Sequence, residues 1–472
     1  MNGPGESPRG TGAEGPPPSG QLLSILGVGF GVAGAIGATI GAGILRTPGL
    51  VAAQLPSAPW LLGAWILGGL LALLGACCVA ELSASFPRAG GWCVFAGEAF
   101  GPRVGGLVGW ADWLAHCIGL AWEATTVGEI AGDLLPDPFG LPHLTPRLLA
   151  LASLAIFLAL QLVGLRVASA SQDLLSLVKA VVFLALVAAC FLLPLPAAAG
   201  GAAVAAPSLG STPWPGATLP WRDLVGSCAL ALQAVITTYD GWVSPVYFAE
   251  EFSDPARDLP RSLIGGVLLV LALYLLINAA LLHVLPLEDL ARSPLPAAEA
   301  ALRLLGPPGG RLITAVALVA LLGLINSVLM AAARILYGLS REGLLPPWVA
   351  AVNAGGTPSA AVLLTAGMAA LLVVAGSFER LLSLGALLYV ALPLTGVAAL
   401  VRLRRQRPEA PRPFRVWAYP LPPLLVALVS LAFLAGELLT HPWDGLLAGG
   451  LVGIGVPIFW RASRPAPASA PP

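Results

Sequence analysis

The stretch Thr39-Ile40-Gly41-Ala42-Gly43-Ile44 lies inside an apolar run from Leu22 to about Ala53 and carries the first candidate chemistry. Seven glycines fall from Gly27 to Gly43, and each costs a helix roughly 1 kcal/mol relative to alanine. A membrane helix weakened in this way is built to break near its middle. Broken backbone survives in lipid only where protein buries it or where it lines a watery cavity. Freed N–H groups at the start of the second half-helix, helped by its dipole, suit a carboxylate. Freed carbonyls at the end of the first half suit an ammonium group. Gly41, Ala42 and Gly43 are therefore the expected carboxylate grip, with carbonyls near Thr39 and Ile40 on the amine side. Glycine serves there because a Cβ would hold the ligand off the backbone. The glycines from Gly27 to Gly37 have a plainer use in part, as small residues that let helices approach.

A second interruption follows in the other half of the chain. Ala229 to Ala234 reads as good helix, but Thr237-Thr238-Tyr239-Asp240-Gly241-Trp242 crowds β-branched, acidic and glycine residues together at membrane depth. Carbonyls at Thr237, Thr238 and Tyr239 would complete the ammonium site opposite the first break. Paired breaks at matched places in two halves of a membrane chain point to a transporter's binding site. Asp240, beside Gly241, has two readings: a contact for a cationic side chain, or a cap on a half-helix N-terminus. Trp242 is equally an aromatic gate or ordinary packing.

Other polar residues sit within apolar runs. Lys179 is the only lysine in the sequence, and a basic group at mid-bilayer costs about 2.5–3.5 kcal/mol or more on insertion, so it tends to be functional. It lies six residues beyond Asp173. That is only about 9 Å of helix, which leaves snorkelling to water as the alternative. Asp112, His116 and Glu123 recur at spacings of four and seven and share a helical face with Gly119, directed at the bundle interior or a watery path. The stripe reads as a satisfied structural network or as a proton relay. Glu123 and Asn326 are candidates to line the cavity. Glu250-Glu251 with Arg257 and Arg261, and Arg334 with Arg341, read as gate ion pairs or topology anchors.

These residues need membrane helices to hold them. Of 472 residues, 57% are hydrophobic and 10% charged, against roughly 25% charged in a soluble protein. Apolar runs suited to the ~20 residues of a transmembrane helix cover about 22–53, 58–84, 104–133, 147–165, 173–196, 222–249, 261–285, 309–338, 358–376, 380–402, 416–439 and 443–461. The expected fold class is an all-α polytopic membrane protein with twelve transmembrane helices. Five spans is an odd number, so a second group of five enters the membrane upside down. This predicts inverted repeats at 22–196 and 222–403, with helices 1 and 6 broken, joined by a Pro-, Gly- and Ala-rich external loop at 197–221. Residues 404–462 add a basic cytoplasmic loop and spans 11 and 12. A short amphipathic helix is predicted from Ala297 to Leu305, ended by Gly306-Pro307-Pro308. With both termini cytoplasmic, sixteen of the 23 arginines lie inside, as the positive-inside rule asks. The tails at 1–21 and 463–472 read as disordered, and the first lacks the pattern of a signal peptide.

Zero net charge suggests no nucleic-acid partner. Cys77, Cys78, Cys93, Cys117, Cys190 and Cys228 have neither metal-site spacing nor a disulfide pattern and read as small packing residues. The sequence supports no catalytic constellation, no metal and no cofactor. The partners expected are a ligand carrying one carboxylate and one ammonium group and the lipid bilayer, with the protein as a monomer or weak homodimer in the plasma (inner) membrane.

At these residues the sequence resembles the amino acid–polyamine–organocation (APC) superfamily permeases, most nearly their L-amino-acid transporter (LAT-like) branch. Thr39 to Ile44 is similar to the family's Gly-Ser/Ala-Gly break in span 1. Glu81-Leu82 with Phe86-Pro87-Arg88-Ala89-Gly90-Gly91 resembles the end of span 2 and its cytoplasmic loop. Tyr239-Asp240-Gly241-Trp242, Glu250-Glu251 and Pro255-Ala256-Arg257-Asp258-Leu259-Pro260-Arg261 resemble span 6 and its exit. Arg334, Ser340-Arg341-Glu342-Gly343-Leu344-Leu345-Pro346 and Thr357-Pro358 resemble the end of span 8.

The resemblance covers about residues 22–415. It implies a leucine-transporter-type (LeuT-type) fold, with ten core helices in a 5+5 inverted repeat, and amino acid transport by alternating access. Lys179 aligns with the family's span 5 lysine, which stands where sodium-coupled relatives hold a sodium ion. Ala331-Ala332-Ala333 precede Arg334 where the family often has hydroxyls. The implied transport is therefore sodium-independent, as an exchanger or proton-coupled symporter, with Lys179 bridging span 5 to the broken part of span 1 and its protonation coupled to transport. Asp240 matches the acid that one branch turns toward cationic substrates. Heteromeric relatives bond a glycoprotein through a cysteine in the loop corresponding to residues 133–147. That loop has no cysteine here, so no disulfide-linked heavy chain is expected. The competing readings are a sodium-coupled symporter and a non-transporting receptor on the same fold.

Overall fold

A peptide group left unpaired in hydrocarbon costs several kcal/mol, so an apolar chain in lipid satisfies its backbone as helix. The computed structural model describes residues 22–41, 43–134, 145–194, 221–376 and 378–462, and among these it obeys that rule. In chain order the helices are α1 (Val28–Thr39), α2 (Gly43–Gln54), α3 (Ala58–Ser85), α4 (Trp92–Phe100), α5 (Pro102–Leu134) and α6 (Thr145–Val163). Then come α7 (Leu165–Leu192), α8 (Trp221–Tyr239), α9 (Pro255–Val284), α10 (Leu287–Arg292), α11 (Pro296–Leu305) and α12 (Pro307–Arg341). The last five are α13 (Ser359–Ala375), α14 (Phe378–Gln406), α15 (Leu421–Thr440), α16 (Pro442–Gly453) and α17 (Gly455–Ala462). Among the described residues nine helical segments are long and apolar enough to cross a membrane, and the bent pair α1–α2 makes a tenth. The protein is an α-helical polytopic membrane protein.

Most of the expected spans appear as single helices, and the predicted amphipathic helix is α11. The apolar pattern gave no sign of α4 or α10, which are short and lie between spans. The tails, Ala42 and most of the loop at 197–221 lie outside the described residues.

α5 and α12 form the buried centre, and α4, α6, α13 and α14 pack around α5. α3 packs on α8 and α9, while α1 is wedged among α7, α9 and α12. Small residues allow that wedge: Gly31 abuts Ser262 of α9, and Gly37 abuts Gln172 and Ser176 of α7, with no room for a Cβ at either. Five of the six cysteines are buried among these contacts. Leucines such as Leu174, Leu177, Leu424 and Leu428 are exposed on α7 and α15, as a lipid-facing surface requires.

Polar ties fix the helices that carry the breaks. Arg334 of α12 donates to Glu251 at 2.8 Å, both side chains fully buried, and its guanidinium lies over the Phe248 ring. The segment before α1 joins the same place: Leu26 N–H donates to the Glu251 carbonyl at 2.8 Å, and Ser253 N–H to the Leu26 carbonyl at 2.9 Å. Glu81, near the end of α3, accepts from Arg404, Arg412 and the Val416 N–H. Arg334 thus pairs with Glu251, which the sequence grouped with Arg257 and Arg261, whereas Arg341 donates to the Tyr337 hydroxyl.

Candidate functional site

The first interruption begins where α1 ends at Thr39 and Ile40 turns to extended backbone, φ −82° and ψ 96°. α2 restarts at Gly43 on an axis bent by 52°. Its opening turn presents N–H groups that have no acceptor within the helix. The glycines at Gly41 and Gly43 both line the central cavity.

The second interruption begins at the end of α8. Residues 240–243 form a turn, and the chain continues as a tight 3₁₀ segment from Ser244 to Glu251. Gly241 stands at φ 105°, a left-handed conformation that side chains disfavour. A Cβ there would lie 2.4 Å from the Ala38 carbonyl oxygen. The two interruptions therefore touch, backbone to backbone.

One side chain bridges them. Tyr274 of α9 is buried, and its hydroxyl lies 3.0 Å from both the Thr39 carbonyl and the Thr238 carbonyl. A phenol has a single proton to donate, so the two oxygens share it. Tyr274 also packs edge-on against Trp65 and at a tilt against Tyr239, at centroid distances of 5.3 and 5.0 Å. Thr238 adds a second link, its hydroxyl sharing a hydrogen bond with that of Thr47 of α2 at 2.9 Å. The sequence pointed to neither Tyr274 nor Thr47, because each is a lone polar residue with no recurring spacing.

Lys179 does not snorkel. It is 1% exposed, with Nζ 2.8 Å from the Gly37 carbonyl and 3.1 Å from the Ile40 carbonyl. It thereby ties α7 to the last turn of α1 and to the first residue of the break. Gly323 of α12 leaves the space it needs, since a Cβ there would lie 2.8 Å from Nζ. Glu123 of α5 is within electrostatic reach of this lysine. Its Oε2 is buried with no hydrogen-bond partner among the described residues.

A cavity of roughly 420 Å³ lies between the interruptions, within the range of small-molecule sites. Thr39, Gly41, Gly43, Glu123, Thr237, Thr238, Tyr239, Asp240, Gly241 and Trp242 all line it. Ile40 is fully buried behind it, and Ala42 falls outside the described residues. Trp242 lines the cavity and packs its ring on Gly75. Asn326 is a correction. It is fully buried away from the cavity, where it bonds Gln161, Ser171, Gln172 and the Ala168 carbonyl. An amide with that many partners locks α6, α7 and α12 together. His116, Tyr247 and Tyr389 line the cavity as well, and of these only His116 had a spacing that singled it out.

An α-helical membrane protein in which two interrupted helices meet at a mid-chain cavity is a transporter in class, and its relatives by sequence are transporters and not enzymes. The sequence model of the amino acid permease family matches residues 23–442. The chain belongs to that family, on its LAT-like side within the APC superfamily. It is 25% identical to the serine/threonine exchanger SteT of Bacillus subtilis (strain 168) over 453 residues, covering 94% of this chain and 98% of that one. Human b(0,+)-type amino acid transporter 1 is 27% identical over 447 residues, covering 91% and 86%. Mouse Asc-type amino acid transporter 1 is 28% identical over 440 residues, covering 90% and 80%.

Proposed function

We propose that this protein moves L-amino acids across the plasma (inner) membrane by alternating access, without sodium, as an exchanger or a proton-coupled symporter. Its substrates are neutral amino acids and, through Asp240, cationic ones. The zwitterionic end common to all of them is held by peptide groups: the carboxylate on N–H groups of Gly41, Ala42 and Gly43, the ammonium by carbonyls around Thr39 and Thr237 to Tyr239. The observation that carries the reading is the contact of the two interrupted helices, with Gly241 against Ala38 and a cavity opening beside it. Relatives named as a serine/threonine exchanger and as amino acid transporters support the substrate class.

Sodium independence is supported by Lys179, whose Nζ takes the carbonyls of Gly37 and Ile40, and by buried Ala331, Ala332 and Ala333, which bring no hydroxyl to that region. The twelve apolar runs support twelve spans, ten of them in two inverted groups of five, with both termini cytoplasmic. A sequence free of cysteine at 133–147 supports function without a disulfide-linked partner.

The experiment is uptake of labelled leucine into proteoliposomes, with sodium or choline outside. Uptake should be equal in the two media, and dependence on sodium would overturn the coupling assignment. Gly41→Val should abolish uptake while the protein still reaches the membrane. Normal uptake by that variant would remove the site from the first interruption.

A further inference from the structure

Asp240 faces a cavity whose wall also carries a histidine held in one tautomer. His116 of α5 lines the cavity, and its Nδ1 lies 2.8 Å from the Asp112 carbonyl oxygen and 3.2 Å from Asp112 Oδ1. A carbonyl oxygen only accepts hydrogen bonds, so Nδ1 carries the proton in both the neutral and the charged ring. Asp112 Oδ1 also accepts from the Tyr247 hydroxyl at 3.0 Å, while Oδ2 is buried without a partner among the described residues. The imidazole is wedged against Tyr247 and Tyr389, at centroid distances of 5.0 and 5.7 Å. Nε2 is left as the nitrogen free to gain or lose a proton. Asp240 lines the same cavity as the ring.

We propose that His116 is the built-in counter-cation of Asp240, and that protonation of its Nε2 selects between neutral and cationic amino acid side chains. The proposal rests on the transport reading above. Asp240 is exposed to the cavity, and two cations close to one carboxylate repel each other. With Nε2 protonated, the imidazolium answers Asp240 and the cavity accepts a neutral side chain. When a basic side chain arrives, its own charge serves Asp240. The Nε2–H bond then breaks, and the proton leaves to cavity water. The titratable groups facing His116 are Asp112 on its own helix, Tyr247 on the 3₁₀ segment, Asp240 after α8 and Tyr389 on α14, with Cys93 of α4 behind Asp112. Glu123, which lines the same cavity, lies about two turns further along α5.

The test compares uptake of labelled arginine and labelled leucine by full-length wild type and His116→Gln in proteoliposomes. Wild-type leucine uptake examines the transport reading by itself. The ratio of arginine to leucine kcat/KM should rise about fivefold or more in wild type between about pH 6 and about pH 8.5, across the histidine range. In His116→Gln the ratio should be high throughout and vary less than about twofold. A flat wild-type ratio, including one with no arginine uptake, overturns the proposal and leaves leucine transport standing. A His116→Gln ratio with the wild-type slope also overturns it, and assigns the pH response to Asp240 alone. If His116→Gln does not fold, Asp112→Asn decides. Loss of the carboxylate beside Nδ1 should move the midpoint of the wild-type ratio to lower pH, and an unmoved midpoint overturns the proposal.

Discussion

The two interrupted helices differ in what they offer the cavity. Between α1 and α2 the chain presents glycine and bare peptide, held from behind by Lys179 on the carbonyls of Gly37 and Ile40. Between α8 and the 3₁₀ segment the chain presents side chains: Thr238, Tyr239, Asp240 and Trp242 all reach the cavity. In the proposed reading that difference divides the labour of recognition. Every amino acid carries the same carboxylate and ammonium, which backbone can read; the part that varies needs side chains. Tyr274, whose hydroxyl serves a carbonyl from each interruption, holds the two functions at a fixed distance.

That division can be broken at graded cost. Gly241→Ala should have the largest effect, because it forces a side chain onto a left-handed residue, at about 1–3 kcal/mol of strain, and drives Cβ into the Ala38 carbonyl. Uptake of every substrate should fall about a hundredfold or more, with a lower melting temperature in detergent. A variant with wild-type melting and uptake would show that the two backbones need not touch.

Lys179→Met should come next. It leaves two buried carbonyls without their donor, at about 1–3 kcal/mol each, so uptake should drop about tenfold or more for leucine and arginine alike. A loss confined to one substrate class would contradict the general role given to the first interruption. Tyr274→Phe removes one shared hydrogen bond, worth about 0.5–1.5 kcal/mol. It should raise KM for all substrates by about two- to tenfold, and a change in kcat alone would point elsewhere. Asp240→Asn should have the smallest effect on leucine, within about twofold, while weakening arginine about tenfold. Equal losses for both would place Asp240 in a cap and not in specificity.

Much of this was legible in the sequence for a physical reason. Glycine density and β-branched or acidic residues inside apolar runs are failures of helix propensity, and such failures mark the breaks directly. Lys179 was less legible: its position on α7 allowed either snorkelling or burial, and only the packing of α1 and α12 around it decides between them. Asn326 misled, since an amide inside an apolar helix signals partners without saying whether they are ligand or protein. Tyr274 gave no signal, because its role depends on which two carbonyls α9 happens to face. Asp112 and His116 showed their spacing but not their tautomer, which follows from the acceptor beside Nδ1.

The most direct measurement is an experimental structure of the protein with L-leucine bound. The account predicts the leucine carboxylate within hydrogen-bond distance of the N–H groups at residues 41–43, with its ammonium turned toward carbonyls at the end of α1 or α8. Leucine bound elsewhere, or held in the cavity by side chains with those peptides unoccupied, would contradict it.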